Sequence, residues 1–139
     1  MDLYKQLLRN YRFRVSIDGK EAAFSKISGL SMDIDTEMIA EGGYNYGSYI
    51  AMIPMKNAKT MRMQKGVCND QLLIKLCPGI ILTKGIVVMV LDGNGEIVIK
   101  YATEQALVTK WELSELDATS GQILIDTFEV AYTGLKIMK

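Results

Sequence analysis

Apolar and polar residues alternate in the first half of the chain, and a period of two predicts β-strands. The alternation covers 13–17, resumes after the turn signal Asp18-Gly19 in a returning strand at 22–24, and recurs at 32–35 and 60–66. A dipeptide such as Asp-Gly between two alternating segments is typical of a β-hairpin. The first half therefore reads as a series of short strands.

The second half continues this pattern with more strongly apolar strands. Residues 86–91 are continuously apolar and predict a central strand. The turn signal at 92–95 leads into an alternating strand at 97–101. The last two strands, 106–113 and 123–132, are joined by the polar loop 114–122.

Two stretches depart from the period of two and predict short helices. Asp2 can cap a helix that carries apolar residues on one face up to Leu8. Asn69 or Asp70 can cap a second helix, which Pro78 must end. With seven or eight short strands and no strand–helix–strand rhythm, the predicted fold class is mainly β. We expect a small antiparallel β-barrel or sandwich with one or two short flanking α-helices.

The segment 37–59 fits neither period. It contains Gly42-Gly43, three tyrosines, four large apolar residues between 50 and 55, and Pro54. A long irregular segment in a small domain is usually functional or disordered, and this one is too aromatic and apolar for a disordered linker. We expect a long extended arm whose apolar side chains are covered by another surface.

Length and composition describe an ordinary globular protein. The 139 residues suit one domain, 1–139, with the N-terminal helical extension at 1–11, and 49% of them are hydrophobic. Sixteen basic residues balance sixteen acidic ones, which argues against a strong electrostatic grip on nucleic acid or on an anionic membrane. The sequence has no histidine, so the usual general base and the commonest metal ligand are missing. We therefore expect no enzyme, no cofactor and no metal site.

Cysteine usage and the N-terminus bear on the cellular compartment. Cys68 and Cys77 are not at metal-site spacing, and we expect both to be reduced and packed as small hydrophobes. Residues 1–14 lack the apolar core of a signal peptide, and the longest apolar run is too short to cross a bilayer. We expect cytoplasmic assembly without membrane anchoring.

Several local motifs have a functional interpretation that is weaker than the structural one. Asp92–Glu96 faintly resembles a calcium loop, but the distal glutamate is absent and a hairpin turn is favoured. Asp33, Asp35 and Glu37 could pair as acid and base, and solvated positions on one strand face explain them as well. Lys110-Trp111 is a single pair of a basic and an aromatic residue, which does not make a surface for stacking nucleic-acid bases. We therefore expect the two side chains to lie on opposite faces of a strand.

Two strands also present a second, polar face, formed by Thr60, Arg62 and Gln64 in one and by Thr127 and Glu129 in the other. Plain solvent exposure explains such a face. A water-filled channel wall shared by several copies of the chain explains it equally well. The pattern leaves both interpretations open.

The order and spacing of these motifs resemble the tail tube protein family of contractile phages and phage-tail-like contractile injection systems. The resemblance runs from Phe13 to Leu135. It is carried by Phe13-Arg-Val-Ser-Ile-Asp-Gly19 with Phe24 and Ser28-Gly-Leu30, by Glu41-Gly-Gly43 and Pro54, by the lysine-led strand 56–66, by 87–95, and above all by 106–135. Tyr132 stands where the family often has histidine.

The resemblance implies a structural inner tube protein. Six subunits would form a ring whose inner sheets join around a lumen, and rings would stack into a filament through the arm at 37–59. Residues expected at the inter-ring contact are Glu41, Gly42, Gly43, Tyr44, Tyr46, Tyr49, Ile50, Met52, Met55 and Lys56. Residues expected to face the lumen are Thr60, Arg62, Gln64, Thr127 and Glu129.

The implied partners are other copies of the chain, a sheath protein, baseplate and tube-initiator proteins, a terminator or cap, and a lumenal payload or tape-measure protein. Two alternatives within the wider family are a tube-initiator subunit at the baseplate and a secreted ring-forming carrier of the type VI secretion kind. A phage tail and a bacteriocin-like or effector-delivering particle fit the resemblance equally.

Overall fold

Twelve β-strands make up the secondary structure in the computed structural model, which describes residues 8, 10–40, 48–53, 58–66 and 77–138. The strands are β1 Arg12–Ile17, β2 Lys20–Ala22, β3 Lys26–Ser28, β4 Asp35–Ala40, β5 Ser48–Ile53, β6 Lys59–Gly66, β7 Ile81–Leu82, β8 Ile86–Leu91, β9 Ile97–Ala102, β10 Gln105–Leu113, β11 Ile125–Thr133 and β12 Lys136–Met138. These described residues contain no α-helix. The helix predicted near 69–76 lies outside them, as does all of the N-terminal helical extension except Leu8, Asn10 and Tyr11.

The strands form two five-stranded sheets and one separate two-stranded sheet. The first sheet has the order β12-β9-β8-β1-β2, the second sheet has the order β3-β6-β11-β10-β7, and β4 pairs with β5 alone. All the pairings are antiparallel, which confirms the predicted mainly β, antiparallel class.

The sheets do not close into a barrel, so that part of the prediction is wrong. Each large sheet ends in short strands: β2, β3 and β12 have three residues and β7 has two. Short edge strands commonly end a sheet, and each of them leaves one side of its backbone unpaired by the strands of its own sheet. The chain instead crosses between the sheets, for example from β9 to β10 at Thr103 and Glu104.

One hydrophobic core joins the inner faces of the two large sheets. The first sheet contributes Val15 and Ile17, and the second contributes Met61, Phe128 and Val130. Phe24, between β2 and β3, meets Phe128 edge to face with ring centroids 6.3 Å apart. Aromatic pairs of this geometry add about 0.5–1.5 kcal/mol beyond the area that they bury.

Both predicted turn signals form turns. Asp18 and Gly19 have φ values of 51° and 86°, the left-handed backbone that a two-residue hairpin turn requires. In the other turn the Asp92 carboxylate accepts hydrogen bonds from the amides of Asn94 at 2.9 Å and Glu96 at 3.0 Å. Since that carboxylate closes the turn, the hairpin interpretation is confirmed over the calcium loop.

Three sequence predictions need correction. The returning strand predicted at 22–24 lies at Lys20–Ala22, and Phe24 follows it outside any strand. Residues 32–34 precede β4, and Met32 and Ile34 are exposed in an irregular stretch. The segment 37–59, predicted to be an irregular arm, contains a regular β-hairpin made of the end of β4 and the whole of β5. Apolar residues follow one another in β5, so the sequence hides its period of two.

We predict that Phe128→Ala destabilises the subunit by about 3–5 kcal/mol, because it leaves a cavity in the core shared by both sheets. Ile137→Ala, in the exposed edge strand β12, is the matched control and should change stability by less than about 0.5 kcal/mol. Urea unfolding of the unassembled subunit, followed by circular dichroism, measures both values. Equal losses in the two variants would contradict the assignment of the core.

Candidate assembly surfaces

The β4–β5 hairpin projects from one end of the second sheet. The chain leaves that sheet after β3 and returns to it at the start of β6, and these strands are antiparallel neighbours with Ser28 opposite Arg62. The exit and return points therefore lie at the same end of the sheet. We call this the hairpin end.

A buried tyrosine holds the base of the hairpin. Tyr132 is 2% exposed, and its hydroxyl donates a hydrogen bond of 2.6 Å to the carbonyl of Gly29 and accepts one of 3.0 Å from the amide of Ser31. Gly29 has φ +91°, and a Cβ atom there would lie 2.4 Å from the carbonyl oxygen of Thr60. The path of the chain out of β3 thus needs a glycine and is fixed by a core residue.

An ion pair links the two legs of the hairpin near this base. The Lys59 ammonium lies 2.6 Å from the Asp33 carboxylate, with the lysine side chain one-third exposed. An exposed pair of this kind contributes at most about 1 kcal/mol, but it joins the outgoing and returning segments. Asp33 therefore has a structural partner, which favours the structural interpretation of this carboxylate over the acid–base one.

One face of the hairpin is apolar and exposed to solvent. Met38 lies opposite Ile50, and Thr36 opposite Met52, so these four side chains share one face. Met38, Ile50 and Met52 are 62%, 69% and 76% exposed. We call them the hairpin patch. A lone two-stranded hairpin is marginally stable in water, and an exposed apolar patch marks an interaction site.

Only three of the residues predicted at the inter-ring contact belong to the part of the chain that the structure describes. Ile50 and Met52 belong to the hairpin patch, and the backbone of Tyr49 lies in β5. Glu41, Gly42, Gly43, Tyr44, Tyr46, Met55 and Lys56 lie outside the described residues. Met38 was not among the predicted contact residues, although the alternation of Thr36, Met38 and Ala40 could have revealed it.

The predicted lumen-facing residues come together on the outer face of the second sheet. Gln64 lies opposite Thr127 and Arg62 lies opposite Glu129. The core residues Met61, Met63, Phe128 and Val130 alternate with them along the two strands. Thr60 and Arg62 are exposed, Gln64 and Glu129 are half-buried, and Thr127 is buried within the subunit. The five residues form a continuous polar band on the outer face of the second sheet.

Register extends this polar band beyond the predicted residues. Lys26 and Ser28 of β3 flank it on one side, and Lys110 and Glu112 of β10 flank it on the other. The band thus crosses four strands. The sequence does not predict the residues from β3 and β10, because their place in the band depends on which strands pair.

The outer face becomes apolar towards β7. Ile81, Leu107 and Ala131 line a shallow groove there, with Ile81 in the short edge strand itself. An apolar groove beside an unpaired edge strand is a second exposed surface suited to a neighbouring subunit.

Lys110 and Trp111 lie on opposite faces of β10, as predicted, since Lys110 is opposite Glu129 and Trp111 is opposite the core residue Phe128. The Trp111 indole donates a 3.0 Å hydrogen bond to the Asp126 carboxylate. Cys77 is exposed, which corrects the prediction that it packs as a small hydrophobe, and Cys68 lies outside the described residues.

Among the described residues, no three acidic or cysteine side chains are placed to hold a metal ion. The same part of the chain has no helix that is long and apolar enough to cross a membrane.

Comparison with known proteins identifies relatives of this architecture. The family model described as T4-like virus tail tube protein gp19 matches residues 9–136. A comparison with curated protein sequences finds no match.

Three similar solved structures share the fold at low sequence identity. The tube-terminating cap of the anti-feeding prophage has a TM-score of 0.75 and 19% identity, covering 96% of this chain and 91% of that one. The sheath–tube complex of the PVC extracellular contractile injection system in its extended state has a TM-score of 0.75 and 20% identity, covering 95% and 91%. Hcp1 from Salmonella typhimurium has a TM-score of 0.57 and 14% identity, covering 91% and 85%.

We predict that Tyr132→Phe loosens the hairpin and leaves the core intact. The change removes both hydrogen bonds at the hairpin base, each worth about 1 kcal/mol, and keeps the buried ring. Hydrogen exchange measured by mass spectrometry should accelerate in peptides from 29–40 and stay unchanged in peptides from 125–133. Thr109→Val, which removes a side-chain hydrogen bond to Glu129 on the same sheet, is the control and should leave 29–40 unaffected.

Proposed function

The chain belongs to the T4-like virus tail tube protein gp19 family, and from that premise we propose that its copies form stacked hexameric rings around a central channel. Its function is that of a structural tube protein of a contractile phage tail or phage-tail-like injection system. The observation that carries the assembly proposal is the exposed apolar patch on a hairpin that projects from one end of the subunit. The role is mechanical, and the subunit acts by rigidity and not by catalysis.

The ring forms through the second sheet. Its edge strands β3 and β7 lie on opposite sides of the sheet, so one subunit can place its β3 edge beside the β7 edge of the next. Joining edges in this way around a ring covers both edges of the second sheet and produces a continuous inner barrel. The apolar groove at Ile81 and Leu107 supports a neighbour at the β7 edge.

In such a ring the polar band lines the channel. Thr60, Arg62, Gln64, Thr127 and Glu129 share the outer face of the sheet whose edges meet in the ring. Small and charged side chains on that face keep the channel wall wet, as in other barrels with aqueous interiors. A payload or tape-measure protein then passes along this wall.

Rings stack through the hairpin arm, which comprises the hairpin patch together with Glu41, Gly42, Gly43, Tyr44, Tyr46, Tyr49, Met55 and Lys56. Met38, Ile50 and Met52 offer exposed apolar area that only another surface can cover. Stacking of one ring on the next is a head-to-tail contact, and such contacts continue into a filament because they do not close.

The remaining partners follow from the place of a tube in a contractile particle. We propose a sheath protein around the tube, baseplate and tube-initiator proteins at one end, and a terminator or cap at the other. The fold shared with a cap protein and a sheath–tube complex supports this arrangement.

A secreted ring-forming carrier of the type VI secretion kind is the second candidate, favoured by the fold shared with Hcp1. Such rings can exist free, whereas a tube protein forms filaments with its sheath and baseplate. A tube-initiator subunit with the same fold would form a single ring at the baseplate.

We predict that purified particles contain many dozens of copies of this chain. A tube of stacked rings needs that number, and an initiator needs one ring. Quantitative mass spectrometry against the sheath and baseplate subunits gives the ratio. A single ring per particle would assign the chain to the initiator position instead.

We predict that Ile50→Asp prevents tube growth and leaves the subunit folded. A carboxylate in the centre of the hairpin patch must lose its hydration when the contact forms, which costs several kcal/mol for an unpaired charge. Electron microscopy of assembled tubes and circular dichroism of the subunit measure the two properties.

Ile137→Asp is the matched control, since Ile137 is also an exposed isoleucine on an edge strand. Tubes of normal length from Ile50→Asp, or equal failure of both variants, would contradict stacking through the hairpin.

A further inference from the structure

The loop between β10 and β11, residues 114–124, lies at the end of the second sheet opposite the hairpin. Strand β6 begins at Lys59, where the hairpin returns, and ends at Gly66, which pairs with Ile125 at the start of β11. At about 3.3 Å per residue, an eight-residue strand separates the two ends by roughly 23 Å. We call this opposite end the loop end.

The loop end exposes a third apolar surface, besides the hairpin patch and the groove at β7. Leu116 and Ile123 are 73% and 78% exposed, values as high as those of the hairpin patch. They line a cleft of about 510 Å³ formed by residues 114–125, with Ile125 at the point where the cleft meets the sheet. Two strongly exposed apolar side chains beside one cleft are typical of an interaction site.

The cleft is held in shape by hydrogen bonds within the loop. Ser114 and Ile125 close its neck, because the Ser114 amide donates to the Ile125 carbonyl and the Ser114 hydroxyl accepts from the Ile125 amide, both at 2.9 Å. At its tip the Asp117 carboxylate accepts from the hydroxyl and the amide of Thr119, at 2.7 and 3.0 Å. These bonds lower the pKa of Asp117. A loop ordered before binding loses less conformational entropy when it binds.

Resting on the proposed tube function, we propose that the cleft at the loop end receives the hairpin patch of a second copy of this chain in the adjacent ring. A head-to-tail filament needs two different, mutually complementary surfaces that face opposite ways. The described residues supply an apolar surface at each end of one sheet, and the polar band lies between them.

The chemistry of the two surfaces matches. Thr36, Met38, Ile50 and Met52 form a hairpin face without a formal charge, so it brings no ion into the contact. The cleft combines the apolar side chains of Leu116 and Ile123 with the carboxylates of Glu115 and Asp117, which are exposed and can stay hydrated at its rim. Methionine side chains are unbranched and flexible, which lets them fill an irregular cleft beside Leu116 and Ile123. Each contact between two subunits is small, but a ring makes several of them at once. Multivalent binding of this kind raises the overall affinity of one ring for the next.

Disulfide trapping in assembled tubes tests the proposal. A chain carrying Ile50→Cys and Ile123→Cys is assembled with its sheath and baseplate under reducing conditions and then oxidised. Each subunit can link to the ring above and to the ring below, so a ladder of long covalent multimers is expected. A mixture of chains that each carry one of the two cysteines should stop at dimers.

The matched control carries Ile50→Cys and Ile137→Cys, and it also measures the background from Cys68 and Cys77. Because contact raises the effective concentration of the two thiols, the test pair should exceed this control by roughly tenfold. Tubes that form without a ladder above the control overturn the proposal and leave the tube function standing. Failure of the unmodified chain to form tubes with its sheath and baseplate overturns the tube function itself.

A charge pair covers the case in which the cysteines prevent assembly. Ile50→Asp alone is expected to stop tube growth, and adding Ile123→Lys in the same chain should restore it through an attractive pair across the contact. Adding Ile137→Lys instead should restore nothing. Equal behaviour of the two double variants overturns the proposal.

Discussion

Burial of one face of the second sheet is the constraint on which the rest of the structure depends. Met61, Met63, Phe128 and Val130 are buried against the first sheet, and side chains along a strand alternate strictly between faces. A slip of one residue would bring Arg62 into the core, so the register is firmly determined. The same register assembles the polar band on the other face and separates the hairpin end from the loop end.

Tyr132 connects this core to the assembly surface. Its ring is buried with the inner face of β11, and its hydroxyl holds Gly29 and Ser31 at the base of the hairpin. Two strands alone give a hairpin little stability of its own. The hairpin therefore takes its direction from the core, while Met38, Ile50 and Met52 on its apolar face remain exposed to solvent.

Residues of the candidate site were predictable from the sequence where alternation within a single strand places them on one face. Thr60, Arg62 and Gln64 were assigned to one polar face from their alternation alone, and the structure places them on one face. Lys26 and Glu112 join that band only because β3 pairs with β6 and β10 pairs with β11. The hairpin was mistaken for an irregular arm, since apolar residues at 50–53 obscure a period of two that pairing with β4 makes regular.

By itself the sequence determined the mainly β class, most of the strands, both turns and the tail tube family, because these depend on local alternation, on turn residues and on motif order. Only the tertiary structure decided that the sheets stay open, that Tyr132 reaches the hairpin base, and that two apolar surfaces lie at opposite ends of one sheet. These features arise from contacts between residues far apart in the chain, such as β1 with β8 and β6 with β11. Local sequence patterns do not determine which strands pair, because many strand orders satisfy the same alternation of apolar and polar residues.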